Sequence, residues 1–298
     1  MVNIASHNSK WQGGILSAKW PRLLALSVLL VVAIQSFLHF QDLDGETQIR
    51  DYERDSSLDF SKEPSVRVKN AQEVQSEEIE RKKKNCEMNY WERRKEGEGS
   101  LSNTHYQSIY TRLSELTVDS YKNKKILDIG CGPRGALEWA APFATAIVCV
   151  DPLAKEYGKL GASDHQMTYI HSGSEDIPIP SNSFDIVTSI NNLDHVTNVT
   201  AALSEISRIV RVGGFFLLYV HLHPIPKPCE PQSMNFGIVE QIKSQGFEIS
   251  WRRDTEYSVA KNCAIRGTEV SWTCSEYDHT DPQRRDAYLA LRATRLPD

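Results

Sequence analysis

Five short apolar runs punctuate residues 125–220, and glycine turns or helical segments separate them. Residues 125–129 (KILDI), 146–150 (AIVCV), 167–171 (MTYIH), 184–190 (FDIVTSI) and 215–220 (FFLLYV) read as strands. Their largely continuous apolar character marks strands buried on both faces. Helices are predicted from about Gly135 to near Pro142, over 200–210 and over 233–245, with Gly246 placed as a C-terminal cap. Such alternation specifies a parallel sheet covered on both sides. Residues 247–252 and 288–294 read as a terminal antiparallel pair. The expected fold is therefore α/β: a doubly wound, mostly parallel seven-stranded sheet.

The first hundred residues follow other rules. Residues 23–40 (LLALSVLLVVAIQSFLHF) are interrupted only by Ser27, Gln35, Ser36 and His39. A spanning helix needs roughly 20 apolar residues, so this run is just long enough for a single-pass transmembrane anchor. A cleaved signal peptide would carry a shorter apolar core and small residues at its cleavage site. Lys10, Lys19 and Arg22 precede the run, and Asp42, Asp44 and Glu46 follow it. That bias favours a cytoplasmic N-terminus. The expected divisions are a basic N-terminus (1–22), a membrane anchor (23–40), a polar stalk with a charged helix (41–100) and a catalytic domain (101–298). The run SEEIERKKKNCEMNYWERRKE (76–96) reads as a solvated helix. Residues 105–116 read as a helix packed on the domain.

A formal net charge of −5 argues against a nucleic-acid surface. The six cysteines show neither a CxxC pair nor zinc-finger spacing. Cys131 and Cys149 fall at strand ends, where a free thiol packs as a small apolar group. Cys263 and Cys274 read either as free thiols or, in an oxidising compartment, as a disulfide.

The glycine turn carries the chemistry. Gly130, Gly132 and Gly135 form G-x-G-x-x-G, which alone fits a dinucleotide site equally well. Asp128, two residues earlier, separates the cases. A carboxylate there repels a pyrophosphate but satisfies an ammonium group. Asp151, about 20 residues beyond the turn, stands where a carboxylate accepts from ribose hydroxyls.

The ordered series LDIGCGP (127–133), VDP (150–152), SEDIPIPSNSFDIV (174–187) and ALSEISRIVRVGGFFLL (202–218) resembles the class I S-adenosylmethionine-dependent methyltransferases grouped as methyltransferase type 11. The resemblance covers about a third of the chain and implies a Rossmann-like methyltransferase fold with S-adenosyl-L-methionine as cofactor. By position it implies that Asp128, Gly130 and Gly132 hold the methionine portion and Asp151 the ribose. Ser174 and Glu175 fall where the family contacts adenine, and Asn191 where it lines the cofactor and faces the acceptor. Many members carry an aspartate just before the Ser174–Glu175 pair; here the residue is Gly173, which weakens the adenine assignment. Residues 193–196 (LDHV) and Glu230-Pro231 also resemble bacterial-style members.

Such a reaction requires in-line alignment of an acceptor with the S–CH3 bond. A hydroxyl or ammonium acceptor also requires a base. His195 and His221 are the candidates, both at carboxyl ends of strands, where open α/β sheets bind ligands. Tyr106 and Tyr110 are candidates to close over the cofactor from the preceding helix, with core packing expected for at least one of them. No metal is expected, because no His, Asp or Glu spacing demands one. Asn198-Val199-Thr200 is a formal glycosylation sequon, read as chance at a helix start. The expected partners are an unidentified, small-molecule acceptor and a membrane, with no nucleic acid. Two rival functions share the scaffold: an NAD-dependent oxidoreductase and a catalytically silent, membrane-tethered cofactor-binding protein.

Overall fold

The computed structural model describes residues 71–257, 275–280 and 286–297. The basic N-terminus, the apolar run at 23–40, most of the stalk and the Cys263–Cys274 question lie outside the described residues. Among the described residues, no helix is long and apolar enough to cross a membrane.

Seven strands form one sheet: β1 (Lys125–Ile129), β2 (Ala146–Asp151), β3 (Thr168–His171), β4 (Phe184–Ile190), β5 (Val210–Leu222), β6 (Phe247–Glu256) and β7 (Ala287–Arg295). Their order is β3-β2-β1-β4-β5-β7-β6. The first five are mutually parallel, whereas β7 runs antiparallel to both β5 and β6. The mostly parallel seven-stranded sheet expected from the sequence is the sheet observed.

Successive side chains of a strand face opposite sides, and the core divides accordingly. Leu127, Ile129, Val187, Phe216, Leu218, Leu289 and Leu291 share one apolar layer. Ile126, Ile186, Leu217, Tyr219, Tyr288 and Ala290 share the other. The helices after β4 and β5, Val199–Ile209 and Ile238–Ser244, supply Leu203, Ile206, Val239 and Ile242 to the first layer. In Val199–Ile209 the buried positions Ala202, Leu203, Ile206 and Ile209 recur at helical spacing. Asn198 caps that helix by accepting the Ala201 N–H at 3.1 Å, a structural use for the sequon's asparagine.

Several elements depart from their expected extents. The α-helix expected from Gly135 does not form; the 3-10 turns Gly132–Arg134 and Glu138–Ala140 stand in its place. Gly132 and Gly135 both have positive φ, and Pro133 lacks an N–H, so a continuous helical ladder is interrupted. The helix at 105–116 shortens to Tyr106–Tyr110 followed by the 3-10 turn Arg112–Ser114. That at 233–245 shortens to Ile238–Ser244, with Gly246 at φ +82° just beyond it.

The four principal helices are α1 (Ala71–Glu98), α2 (Tyr106–Tyr110), α3 (Val199–Ile209) and α4 (Ile238–Ser244). Part of the expected stalk is thus helical: α1 is 28 residues long and begins at Ala71. The cysteines also depart from expectation. Cys131 and Cys149 are not free thiols but a disulfide, with Cα atoms 5.8 Å apart. The register explains it, since Cys149 pairs with Asp128 across β1 and β2, close to the turn bearing Cys131. Cys86 and Cys229 form a second disulfide, joining α1 to the loop after β5.

Candidate active site

The chain crosses from β3 at the sheet edge back to β4 beside β1, so connections diverge between β1 and β4. Ligands of open α/β sheets settle at this point, outside the carboxyl ends of the strands. A crevice of about 920 Å³ opens there, a size suited to a cofactor with a small partner.

Its floor is the turn after β1. Gly130 has φ +66°, and a Cβ there would lie 2.0 Å from Asn192 Cγ. Gly135 has φ +65°, and its Cβ would lie 2.8 Å from the His165 ring. Only glycine fits either place. Gly130 N–H donates to Val150 O at 2.8 Å, which pins the turn beside the end of β2.

Two buried carboxylates flank this floor. Asp128 Oδ1 accepts from Thr188 Oγ1 at 2.6 Å, and Oδ2 from the Tyr110 hydroxyl at 3.1 Å. Thr188 is its register partner on β4, and Tyr110 descends from α2. Burial pushes the Asp128 carboxyl up to about 7, against those two hydrogen bonds. Asp151, at the tip of β2, accepts from Leu153 N–H at 2.8 Å and Gly132 N–H at 3.3 Å. Burial pushes its carboxyl up to about 6. The structure therefore brings Asp128, Gly130, Gly132 and Asp151 together around one turn, and Tyr106 and Tyr110 line the same crevice.

The adenine assignment is less direct. Ser174 is buried and donates to Glu175 Oε2 at 3.3 Å. Glu175 Oε1 accepts the N–H groups of Thr197 at 2.7 Å and Asn198 at 3.2 Å, so this carboxylate supports the start of α3. Both residues line the crevice, together with Gly173. Asn191 has φ +55° and accepts from the Tyr288 hydroxyl at 3.1 Å, a bond that holds it at the wall shared with β7.

The two candidate bases sit in different surroundings. His195 Nδ1 lies 3.0 Å from Glu87 Oε1, and Nε2 lies 3.7 Å from Asp194 Oδ1. Burial alone would lower its pKa, but the Glu87 hydrogen bond and the Asp194 charge push it up to about 9. In this setting the ring is a cation near neutrality and is poorly suited to removing a proton. His221 is buried, stacks on Tyr257 with ring centroids 3.9 Å apart, and holds Asp286 Oδ2 at 3.1 Å. Burial lowers its pKa, which keeps the ring neutral.

The roof is the feature that sequence reasoning missed. Glu80, Lys83, Glu87, Trp91 and Arg94 of α1 all line the crevice. They recur every three or four residues and so share one helical face. The face is charged, so a search for apolar periodicity passes over it. Arg134 ties the roof down: it is buried, pairs through both terminal nitrogens with Glu98 at 2.8 Å, and lies 5.5 Å from the centre of the Trp91 ring. The Cys86–Cys229 disulfide fastens the middle of α1. A second grouping also left no mark in the spacing: Asp194, His221, His223 and Glu230 each offer one metal-ligating atom, all within 4.8 Å of one another.

Residues 127–218 match the family described as a methyltransferase domain. The chain is 26% identical over 156 residues to a cycloartenol-C-24-methyltransferase of Arabidopsis thaliana, covering 44% of this chain and 46% of that protein. It is 25% identical over 173 residues to a probable S-adenosylmethionine-dependent methyltransferase of Mycolicibacterium smegmatis, covering 55% and 62%. It is 33% identical over 120 residues to a mitochondrial ubiquinone biosynthesis O-methyltransferase of Schizosaccharomyces pombe, covering 36% and 43%. The chain spans about half the length of these relatives. A solved S-adenosylmethionine-dependent methyltransferase from Mesorhizobium loti superposes with a TM-score of 0.48 at 18% identity, over 64% of this chain and 99% of that one. The family and the curated relatives imply S-adenosyl-L-methionine as the cofactor.

Proposed function

We propose, from the premise that residues 127–218 form an S-adenosylmethionine-dependent methyltransferase domain, that the chain transfers a methyl group to a small-molecule acceptor seated beneath α1. The observation that carries this reading is the floor: Asp128, a buried carboxylate, stands beside a glycine turn that leads into 3-10 turns instead of an α-helix. A pyrophosphate wants the reverse, a helix N-terminus and no nearby anion. The NAD-dependent reading loses on both counts.

The residues fit the sulfonium cofactor. At Gly130 a Cβ would run into the Asn192 side chain, so glycine keeps the turn close against the loop after β4. Asp128 stands ready to accept from an ammonium group and Asp151 from ribose hydroxyls. When bound, the cofactor supplies an activated methyl, transferred as the acceptor's electron pair forms the new bond and the S–C bond breaks toward sulfur. The chain's own part is alignment and exclusion of water. Tyr106, Tyr110 and Trp91 cover the floor, while Tyr257, Tyr288 and His221 wall the far end. His221, neutral and held by Asp286, takes the acceptor proton where the acceptor is a hydroxyl or an ammonium.

Titration calorimetry with S-adenosylhomocysteine and NADH separates the readings. We expect binding of the former and none of the latter; binding of NADH alone would overturn the proposal. Release of S-adenosylhomocysteine over a panel of sterols, quinols and amines then separates an active enzyme from a silent binder. Sterols and quinols head the panel because the names of two relatives point to them.

Residues 23–40 act as a single-pass anchor in this reading, with the catalytic domain on the side opposite the basic N-terminus. The disulfides Cys86–Cys229 and Cys131–Cys149 support that side, since such bonds persist in oxidising compartments. A protease added outside sealed vesicles should leave the domain intact. Digestion without detergent would refute the orientation.

A further inference from the structure

Asp194 is fully buried, yet neither of its carboxylate oxygens has a hydrogen bond. Its neighbour His223 is 1% exposed, and its Nε2 has none either. His223 Nδ1 lies 2.8 Å from Ile225 O, and a carbonyl only accepts, so Nδ1 carries a proton. Nε2 faces Asp194 Oδ2 at 3.7 Å and Glu230 Oε2 at 3.6 Å, both longer than a hydrogen bond. A ring nitrogen and two carboxylate oxygens thus converge on one place, those of His223 and Asp194 buried and that of Glu230 toward the rim. Leaving buried polar atoms unsatisfied costs free energy, and natural sites rarely tolerate it without a use.

We propose that Asp194, His221, His223 and Glu230 form a binding site for one divalent first-row transition ion, of the zinc class. Two imidazoles and two carboxylates suit that class, because an alkaline-earth ion selects oxygen alone. The four donor atoms lie within 4.8 Å of one another, so an ion would draw them inward. Bonds of roughly 2.0–2.1 Å in a tetrahedron put ligand atoms about 3.3 Å apart, and the two separations at His223 need to shrink only slightly. The surroundings are those of a metal site as well. A ligating imidazole characteristically gives its other N–H to a carbonyl or carboxylate; His223 has Ile225 O in that role, and Asp286 holds the ring of His221.

The nearby cations do not fill this place. His195 reaches Asp194 from the Oδ1 side and is itself engaged by Glu87, while Lys227 contacts Glu230 Oε2 at 2.6 Å from the exposed rim. An ion would displace Lys227 and tie the loop that carries Glu230 to the ends of β4 and β5. His221 and Glu230 line the crevice, so the ion would stand at the wall of its far end. The site is defined by its donors and does not depend on the methyl-transfer reading; an ion on His221 Nδ1, with Nε2 on Asp286, would leave that ring no nitrogen to take an acceptor proton, so His221 serves either as ligand or as base.

The full-length protein, stripped with a chelator and dialysed, is titrated with Zn²⁺ alone, and separately with Co²⁺ while its visible absorption is followed. The expected result is one ion per chain and a d–d spectrum typical of low coordination. His223→Gln should abolish both, and Glu230→Gln should weaken the ion by roughly tenfold or more. Glu230 is at the rim, so its variant keeps the test readable if the buried one fails to fold; unchanged binding of S-adenosylhomocysteine certifies the Glu230→Gln fold. Absence of saturable zinc and cobalt binding to the wild type would overturn the proposal, as would equal affinity in the Glu230→Gln variant.

Discussion

The floor and the roof of the crevice are built on different plans. The floor uses residues 127–133 and 150–152, two stretches that meet because β1 and β2 are hydrogen-bonded neighbours. Its geometry rests on local chain order: glycines with positive φ next to carboxylates at strand ends. The roof is α1, whose side chains hold it to the rest of the domain through Arg134–Glu98, Lys83–Thr197, the Lys159 carbonyl (from Lys95) and Cys86–Cys229. Backbone-encoded sites are stiff and depend on neighbouring residues, whereas a side-chain roof gathers partners from more than a hundred positions away, as Cys86 and Cys229 do at a separation of 143. In the proposed reading, the floor grips the cofactor and the roof closes over the acceptor.

Three measurements act on this contrast. The largest effect is expected at the roof. Arg134→Ala leaves Glu98 with Arg94 alone and removes the cation over Trp91, so stability should fall by about 3 kcal/mol. Denaturant titration reads the loss, and hydrogen exchange should show α1 opening first. A variant as stable and as protected as the wild type would break the assignment of Arg134 as the tie.

At the floor, Asp151→Ala removes the acceptor proposed for the ribose while sparing the sheet. Losing charge-assisted bonds of this kind amounts to about 2–3 kcal/mol, roughly 100-fold in S-adenosylhomocysteine affinity. Calorimetry checks it, and unchanged affinity would remove Asp151 from the site. Here the floor and roof should separate cleanly: α1 protection stays as in the wild type.

The smallest effect concerns pH. The Asp128 carboxyl is raised to about 7 by burial, so its proton stays on in the empty protein below that value. An ammonium ligand requires the ionised form. Affinity should therefore fall as pH drops, by about 25-fold between pH 7.5 and 5.5, following the ionised fraction. The same shift has the opposite sign for the unliganded fold. Its raised acid contributes stability that is full below the ordinary carboxylate range and is lost as pH rises through about 7. Asp128→Asn should flatten both profiles; an unaltered pH dependence in that variant would detach the effect from Asp128.

The sheet was legible because its strands are contiguous apolar runs, and β4 begins and ends where its composition predicts. The glycine floor was legible for the same reason: Gly130, Gly132 and Asp128 lie within five residues. The helix expected after the turn failed because a glycine motif shared by two ligand classes does not by itself specify the conformation of the next segment. Glu175 shows another gap. Its position suggested adenine, but the backbone N–H groups of Thr197 and Asn198, more than 20 residues away, claim its Oε1. The Cys131–Cys149 bond needed the β1–β2 register before the two sulfurs could be placed together.

What the chain order determined unaided was the parallel sheet, the crevice at its reversal point and the two carboxylates beside the glycine bend. Each depends on local backbone preference and on a periodicity of a few residues. Only tertiary structure decided that a charged helix roofs the crevice, that four cysteines pair, and that Asp194, His221, His223 and Glu230 converge. Those outcomes arise from packing between segments distant in sequence, where a side chain's role is set by whatever the fold brings within about 4 Å of it.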